Sequence, residues 1–416
     1  MILFLIGIFL KYNIHFMTIF SQTEIIPAAY LGREQAYIKH LLLERYLDRL
    51  LHIVGMAAQQ LGYDEIVYVD CFAGPWGDES EDLAATSIGI SLAQLAKVQT
   101  ELAAIGRRVP FRAVYIEKDP AAFRRLETYL STHSPQNVKT LAIHGDFEDK
   151  IPDILNACGR DSFTFYFIDP LGWKVVKPST LAPLLARARS EYLINFMYDF
   201  VNRTVSMEAW QAEMAALFDA PLDMAELPVE QPLRERYIAE RYQHAIESRA
   251  GTSRHEAQSV YVAIKDPLKD RTKYHLMYVT RHPKGIIEFM ELCEKALRTQ
   301  DAVRAAAKLN KKQNDCGIND LFAIDPAQVP STQASDTQAL EQYWFERIGA
   351  DNLQVDLNVF SKAICDNNAL PTQLQTAVKN LIDAGKIRNL DADISRRRKK
   401  FVDYEKSERL QRIRQE

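Results

Sequence analysis

The sequence predicts an α/β protein with a mostly parallel, doubly wound sheet, a terminal antiparallel hairpin and a small helical domain after it. Short runs of β-branched and aromatic residues alternate with helical patterns between residues 66 and 197. Strands that alternate with helices favour a parallel sheet covered on both faces. Two further apolar runs, close together at residues 260–265 and 274–280, indicate the hairpin.

The elements begin with a helix at residues 37–55, where apolar side chains recur at helical spacing. Further helices are expected at 87–104 and 120–129. The five parallel strands are predicted at residues 66–71, 111–116, 138–144, 163–168 and 192–197. Five parallel strands and a hairpin describe the Rossmann-like core of a class I methyltransferase, although doubly wound sheets carry many activities.

Composition sets the broad class of protein. Hydrophobic residues make up 47% of the 416 residues and charged residues 25%, which excludes disorder and a polytopic membrane protein. The cysteines are scattered and never paired at metal-ligand spacing: Cys71, Cys158, Cys293, Cys316 and Cys365. We therefore expect a cytoplasmic protein without a metal site or a membrane partner.

The chain divides into five expected parts. These are an apolar leader (1–23), a methyltransferase-like α/β domain (24–305), a connecting segment and linker (306–345), a winged-helix-like domain (346–395) and a basic tail (396–416). The leader is strongly apolar only over its first ten residues, whereas a membrane span needs ~20. We interpret it as an over-extended gene start with Met17 as the initiator; the alternative is a weak anchor.

Acidic residues end four successive strands of the predicted sheet: Asp70, Glu117, Asp146 and Asp169. Ligands of open α/β sheets bind beyond these strand ends. A ligand with an amine, ribose hydroxyls and an exocyclic amino group would supply donors to the carboxylates. Each acid could instead form a turn or cap a helix. A nicotinamide cofactor is disfavoured because the first loop lacks G-x-G-x-x-G.

Several ordered motifs resemble the three-Cys-motif partner protein family, TcmP. They are residues 68–75 (YVDCFAGP), 115–119 (YIEKD), 167–172 (FIDPLG) and 280–285 (TRHPKG), together with Lys39-His40. The resemblance covers roughly residues 36–297. The family looks like a branch of the S-adenosylmethionine-dependent methyltransferases. The resemblance therefore implies S-adenosylmethionine as the cofactor and a three-Cys-motif protein as the partner.

The resemblance also implies six cofactor-binding residues: Asp70, Phe72, Gly74, Glu117, Asp146 and Phe147. The first three would face the methionine end of the cofactor. Glu117 would bind the ribose. Asp146 would lie near the adenine amino group, with Phe147 against the base.

The acceptor would bind at Asp169 and Pro170, where amino-methyltransferases carry an Asp/Asn-Pro-Pro-aromatic loop. In those enzymes the loop binds the target amine, and its aromatic residue stacks on a flipped base. Here the second proline is missing and the aromatic, Trp173, comes one position late. Trp173 could stack on a substrate or belong to the core. We also expect Lys39, His40 and Asn195 to line the cleft.

The C-terminal region resembles a winged helix, with helical patterns at residues 353–364 and 371–384 and a strand at 385–387. A basic run follows, and it could contact the phosphates of DNA or RNA: Arg396, Arg397, Arg398, Lys399 and Lys400. The alternative is a protein–protein module with a solvated charge run.

The sequence thus predicts an S-adenosylmethionine-dependent methyltransferase that acts on a nucleic-acid base amine together with a three-Cys-motif protein. The alternative is a non-catalytic partner protein that keeps the methyltransferase fold and the cofactor site. The altered loop around Asp169 supports that alternative.

Overall fold

The computed structural model describes residues 26–74, 83–251, 256–316, 336–349, 352–392 and 400–413. The α/β part contains seven strands: β1 (Ile66–Asp70), β2 (Phe111–Glu117), β3 (Val138–His144), β4 (Phe163–Ile168), β5 (Ser190–Phe196), β6 (Gln258–Lys265) and β7 (Thr272–Thr280). Its helices are α1 (Glu34–Leu61), α2 (Ser87–Ala104), α3 (Pro120–His133), α4 (Phe147–Cys158), α5 (Pro178–Leu185), α6 (Tyr198–Thr204), α7 (Gln211–Leu217), α8 (Gln231–Ala250) and α9 (Pro283–Cys316).

The seven strands form one sheet in the order β3-β2-β1-β4-β5-β7-β6. Strands β1 to β5 are parallel, while β7 runs antiparallel to both β5 and β6. Strand β1 lies in the middle of the five parallel strands, so its end is flanked by the ends of β2 and β4. This arrangement confirms the predicted fold class, a Rossmann-like methyltransferase sheet with a terminal antiparallel hairpin.

Helices cover both faces of the sheet, which explains why β1, β4 and β5 are buried along their whole length rather than at alternate residues. On one face Tyr68 and Phe165 pack in a core shared with α1, α2 and α9. On the other face Val69 and Tyr166 pack with α4, α5 and α8. Successive residues of a strand point to opposite faces, so both cores derive from the same strands.

The connection between β5 and β6 contains three helices that the sequence pattern did not predict: α6, α7 and α8. Helix α8 buries Tyr242, whose hydroxyl donates to the Val176 carbonyl at 2.7 Å and whose ring stacks on Phe196 at 4.3 Å. The amphipathic signal of α8 is weak because its buried face includes Gln243 and three alanines beside the larger apolar side chains. Helices α6 to α8 pack in one core with Phe196 at the end of β5.

The C-terminal domain contains helices and a small antiparallel sheet in the order β8-β10-β9. Its elements are α10 (Thr337–Ile348), β8 (Leu353–Val355), α11 (Leu357–Asn367), α12 (Pro371–Asp383), β9 (Ile387–Asn389) and β10 (Glu408–Arg412). Residues 353–355, expected to begin a helix, form β8. Strand β10 lies in the segment expected to be a tail, yet it is the central strand. The assignment as a winged helix stays a prediction.

The C-terminal domain packs against strand β6 and helix α9. Asn368 follows α11 in a left-handed conformation (φ +43°) and bonds both backbone polar groups of Tyr261, at 3.0 and 2.9 Å. Tyr404 donates to Glu291 of α9 at 3.2 Å. The apolar leader lies outside the described residues. Within the described ranges, none of the helices combines the length and apolar character needed to cross a membrane.

Candidate functional site

The carboxyl ends of β1 to β4 open onto a cavity of about 540 Å³, hereafter the strand-end cavity. Its walls include residues from the loops after all four strands and from α1: Lys39, Phe72, Gly74, Glu117, Asp146 and Asp169. Pockets of roughly 300–1,000 Å³ at such strand ends are typical of small-molecule sites. The cavity therefore gathers most of the residues that the sequence singled out.

Glu117 is the last residue of β2 and is only 5% exposed. Its Oε1 accepts a hydrogen bond from the Asp119 N–H at 2.6 Å, which fixes the side chain at the turn into α3. Among the described residues, no group donates to Oε2. Because Glu117 borders the cavity, a ligand there can donate a hydrogen bond to Oε2.

Asp70 ends β1 but lies beneath the cavity rather than on its wall, and it is fully buried. Its Oδ1 accepts from the Phe72 N–H at 3.2 Å, and the Tyr68 hydroxyl lies 3.5 Å from Oδ2. Burial raises the pKa of Asp70 from 3.8 to about 7, against the opposing hydrogen bonds from Ser87 and the Phe72 N–H. Asp70 thus shapes the loop that carries Phe72 and Gly74 to the cavity.

Asp146 caps helix α4, since its Oδ1 accepts from the Glu148 N–H at 3.3 Å. Its Oδ2 lies 3.7 Å from the Lys118 ammonium. The next residue, Phe147, is 2% exposed and packs against Phe72 with ring centroids 5.0 Å apart. The capping alternative therefore describes Asp146 correctly, while the same side chain also borders the cavity.

Asp169, which follows β4, is held by two donors on opposite sides. Asn195, near the end of β5, donates through Nδ2 to Asp169 Oδ1 at 2.6 Å. The Lys39 ammonium, from helix α1, donates to Asp169 Oδ2 in a direct ion pair. The side chains of Lys39 and Asp169 remain 13% and 17% exposed. The sequence placed all three residues in the cleft but did not predict that they contact one another.

The loop after Asp169 continues through Pro170 and Leu171, which both line the cavity. Leu171 is 85% exposed, whereas Trp173 is only 3% exposed. The Trp173 indole packs edge-on against Trp210 at 5.8 Å and lies 6.0 Å from the Phe200 ring. These are the contacts of a core residue, although one side of Trp173 borders the cavity.

His40 lies beside Lys39 on α1, and its Nδ1 is 3.0 Å from the Tyr30 hydroxyl. Burial, followed by the charge of Lys39, lowers the pKa of His40 to about 3. The imidazole is therefore neutral near neutral pH, and Lys39 is the cation that this part of α1 presents to Asp169.

The basic run predicted to bind nucleic acid is only partly described. Residues 396–399, including Arg396 and Arg397, lie outside the described residues. The ammonium of Lys400 lies 4.0 Å from the Tyr404 ring centroid and 3.3 Å from Glu405 Oε2. These contacts belong to the C-terminal domain.

The TRHPKG motif follows β7 beside the start of β5, at the opposite end of the strands from the cavity. Arg281 donates to backbone carbonyls of Arg187 and Ala250, at 2.8 and 2.6 Å. Gly285 leaves room for the Tyr278 hydroxyl, because a Cβ there would lie 2.5 Å from it. The motif therefore holds the ends of α5 and α8 against the sheet.

No protein-family model and no curated protein sequence matches the chain. Among solved structures, an O-methyltransferase from Bacillus cereus in complex with SAH matches at 12% identity over 56% of this chain and 80% of that one, with a TM-score of 0.29. The O-methyltransferase TomG from Streptomyces achromogenes, involved in tomaymycin synthesis and solved with SAM, matches at 13% identity over 55% and 78%, also with a TM-score of 0.29. An SAH-bound methyltransferase from Podospora anserina matches at 12% identity over 62% and 97%, with a TM-score of 0.28. Function is inferred below from the site itself.

Proposed function

We propose that this protein is an S-adenosylmethionine-dependent methyltransferase. The observation that carries the proposal is Glu117, a buried acid at the end of β2 whose Oε2 has no donor among the described residues and which borders the strand-end cavity. The acid in this position of a doubly wound sheet is the one that binds ribose hydroxyls.

The residues of the cavity fit this cofactor. S-adenosylmethionine carries no phosphate, and the described loops around the cavity present acidic side chains, Glu117, Asp146 and Asp169, which suit an amine and hydroxyl groups. Phe72 and Phe147 supply an apolar wall for an adenine ring. When bound, the cofactor would supply a methyl group activated by a sulfonium. Glu117 would bind the ribose hydroxyls, and Asp70 would hold the loop after β1 in place. Asp169 would lie at the end of the cavity where the acceptor binds.

Calorimetry with S-adenosylmethionine tests the cofactor site on wild type and on Glu117→Gln. The variant keeps an oxygen for the Asp119 N–H but removes the charge, so we expect about a 10-fold or greater loss of affinity, the worth of a charged hydrogen bond. Glu127→Gln on the exposed face of α3 is the matched control and should bind as wild type does. Absence of binding by the wild type would refute the proposal.

The narrower proposal from the sequence is a nucleic-acid base amine as the acceptor, methylated together with a three-Cys-motif protein. It is supported by the Asp169-Pro170 step at the cavity, where a carboxylate and a backbone carbonyl can accept N–H bonds. Transfer of a radiolabelled methyl group to DNA or RNA, with and without the partner protein, tests it. Label that appears only with the partner present would support both parts of the proposal.

A second candidate is a non-catalytic protein that keeps the fold and binds the partner. The ion pair between Lys39 and Asp169 favours it, because the acid expected to bind the acceptor is already paired. A wild-type protein that binds the cofactor and the partner tightly, yet transfers no label to any acceptor, would support this candidate over an enzyme.

A further inference from the structure

The donors around Asp169 bear on the chemistry of the acceptor. The two carboxylate oxygens of Asp169 already accept hydrogen bonds from different groups, Oδ1 from Asn195 and Oδ2 from Lys39. Asn195 is 3% exposed, so its amide is fixed in the wall. A target amine needs an acceptor for its own N–H. At Asp169 it would have to share oxygens with an amide and an ammonium, both of which are donors.

Lys39 offers the opposite chemistry. An ammonium has three N–H donors and no acceptor, and Asp169 is the one hydrogen-bond acceptor of Lys39 within the described ranges. The same ammonium lies 5.8 Å from the Tyr274 ring centroid and lines the cavity. The remaining N–H groups can therefore bind an atom that brings lone pairs and negative charge. The N–H groups of an approaching amine would instead face the N–H groups of Lys39, which cannot accept a hydrogen bond.

Resting on the proposed methyltransferase function, we propose that the acceptor is an oxyanion, such as a carboxylate, phenolate or enolate, that is bound by Lys39. The acceptor oxygen would form its C–O bond as the methyl C–S bond breaks, with the electron pair left on sulfur. Because the acceptor binds already deprotonated, no base is required in the step. The base amine of the narrower proposal is the competing outcome.

Ligand-observed NMR titration of the full chain, in the presence of SAH, tests this with benzoate, an anion, and benzylamine, an amine of similar size. We expect wild type to bind benzoate in preference to benzylamine. Lys39→Met should weaken benzoate about 10-fold or more, the worth of a charged hydrogen bond. Asp169→Asn should tighten benzoate, because it removes the carboxylate that competes for Lys39. A purely structural ion pair would not produce that opposite change.

Lys97→Met is the matched control, since Lys97 also pairs with an aspartate (Asp48, 2.7 Å) but lies on α2 outside the cavity. It should leave benzoate binding unchanged. If Lys39→Met fails to fold, the double variant Lys39→Met/Asp169→Asn removes both charges, and it should also lose benzoate. Tighter binding of benzylamine, no binding of benzoate, or equal binding of benzoate by wild type and Lys39→Met would overturn the proposal.

The cofactor proposal and the acceptor proposal fail separately. Titration of SAH alone into the same preparations reports the cofactor site. Absence of SAH binding with intact Lys39-dependent benzoate binding would count against the proposed cofactor and leave the oxyanion site standing. Normal SAH binding without benzoate binding would overturn the oxyanion proposal alone.

Discussion

The buried Asp70 should make the stability of this protein depend on pH in an unusual direction. Because burial raises its pKa from 3.8 to about 7, the folded protein keeps a proton that the unfolded chain has lost between about pH 4 and pH 7. The free energy of unfolding should therefore fall as the pH rises through this window. Ordinary salt-bridged carboxylates have the opposite effect, since their pKa is lowered on folding.

The size of the effect follows from the pKa difference. A rise from 3.8 to about 7 is roughly three units, and each unit corresponds to about 1.4 kcal/mol. The full contribution is on the order of 4 kcal/mol, of which about 2.5 kcal/mol should be lost between about pH 5 and pH 8. Asp70→Asn, which resembles the protonated acid and keeps an oxygen for the Phe72 N–H, should remove this part of the pH dependence.

Urea denaturation of wild type and Asp70→Asn at about pH 5 and pH 8 measures it. The difference between the two pH values removes any constant effect of the substitution, and comparison of this difference between wild type and variant removes the other titrating groups. Asp161→Asn is the control, because Asp161 is exposed and pairs with Arg189 at 3.4 Å. The same pH dependence in wild type and Asp70→Asn would refute the reasoning.

Three further predictions concern packing. Trp173→Ala should cost about 3–5 kcal/mol of unfolding free energy in urea, since the indole is in the core, and Trp173→Phe should cost less; unchanged stability of the alanine variant would instead favour a substrate-stacking role. Asn368→Gly keeps the left-handed backbone but loses both bonds to Tyr261, so it should cost about 1–3 kcal/mol; limited proteolysis should then release the C-terminal domain sooner, and equal cleavage rates would contradict this. Gly285→Ala should cost about 1–3 kcal/mol by crowding the Tyr278 hydroxyl; a thermal melt equal to that of wild type would show that the neighbouring groups can move apart.

The strands were predictable because a parallel sheet covered on both faces leaves a simple pattern in the sequence. Strands β3 and β4 have the predicted bounds, and the other strands differ from the predicted bounds by one or two residues at one end or, for β5, at both ends. The first helix was predicted too short, since Gly55 was taken as its end. Gly55 is instead a packing residue inside the helix, since a side chain there would collide with Leu102 of α2, and the helix ends at the left-handed Gly62.

The location of the site could be predicted from the sequence, whereas the contacts within it could be predicted only in part. The topology brings the ends of β1 to β4 together, and acids at those ends are visible in the sequence. Lys39 and Asp169 are 130 positions apart, and no periodicity relates them, so their ion pair could not be predicted. A position at the end of a strand also does not show whether a side chain reaches the cavity. Asp70 lies beneath the cavity and Glu117 borders it, although both end a strand.

The placement of β10 constrains when the C-terminal domain can form during synthesis. In the described sheet, β8 and β9 pair with β10 and not with each other. Both are made before Glu408, so neither has its sheet neighbour until the ribosome has released the chain as far as Arg412. Until then the apolar side chains of Val355 and Ile387 lack Leu410, which is buried in the same core. A nascent chain stalled before this point should remain a substrate for chaperones and proteases even with its larger sheet complete.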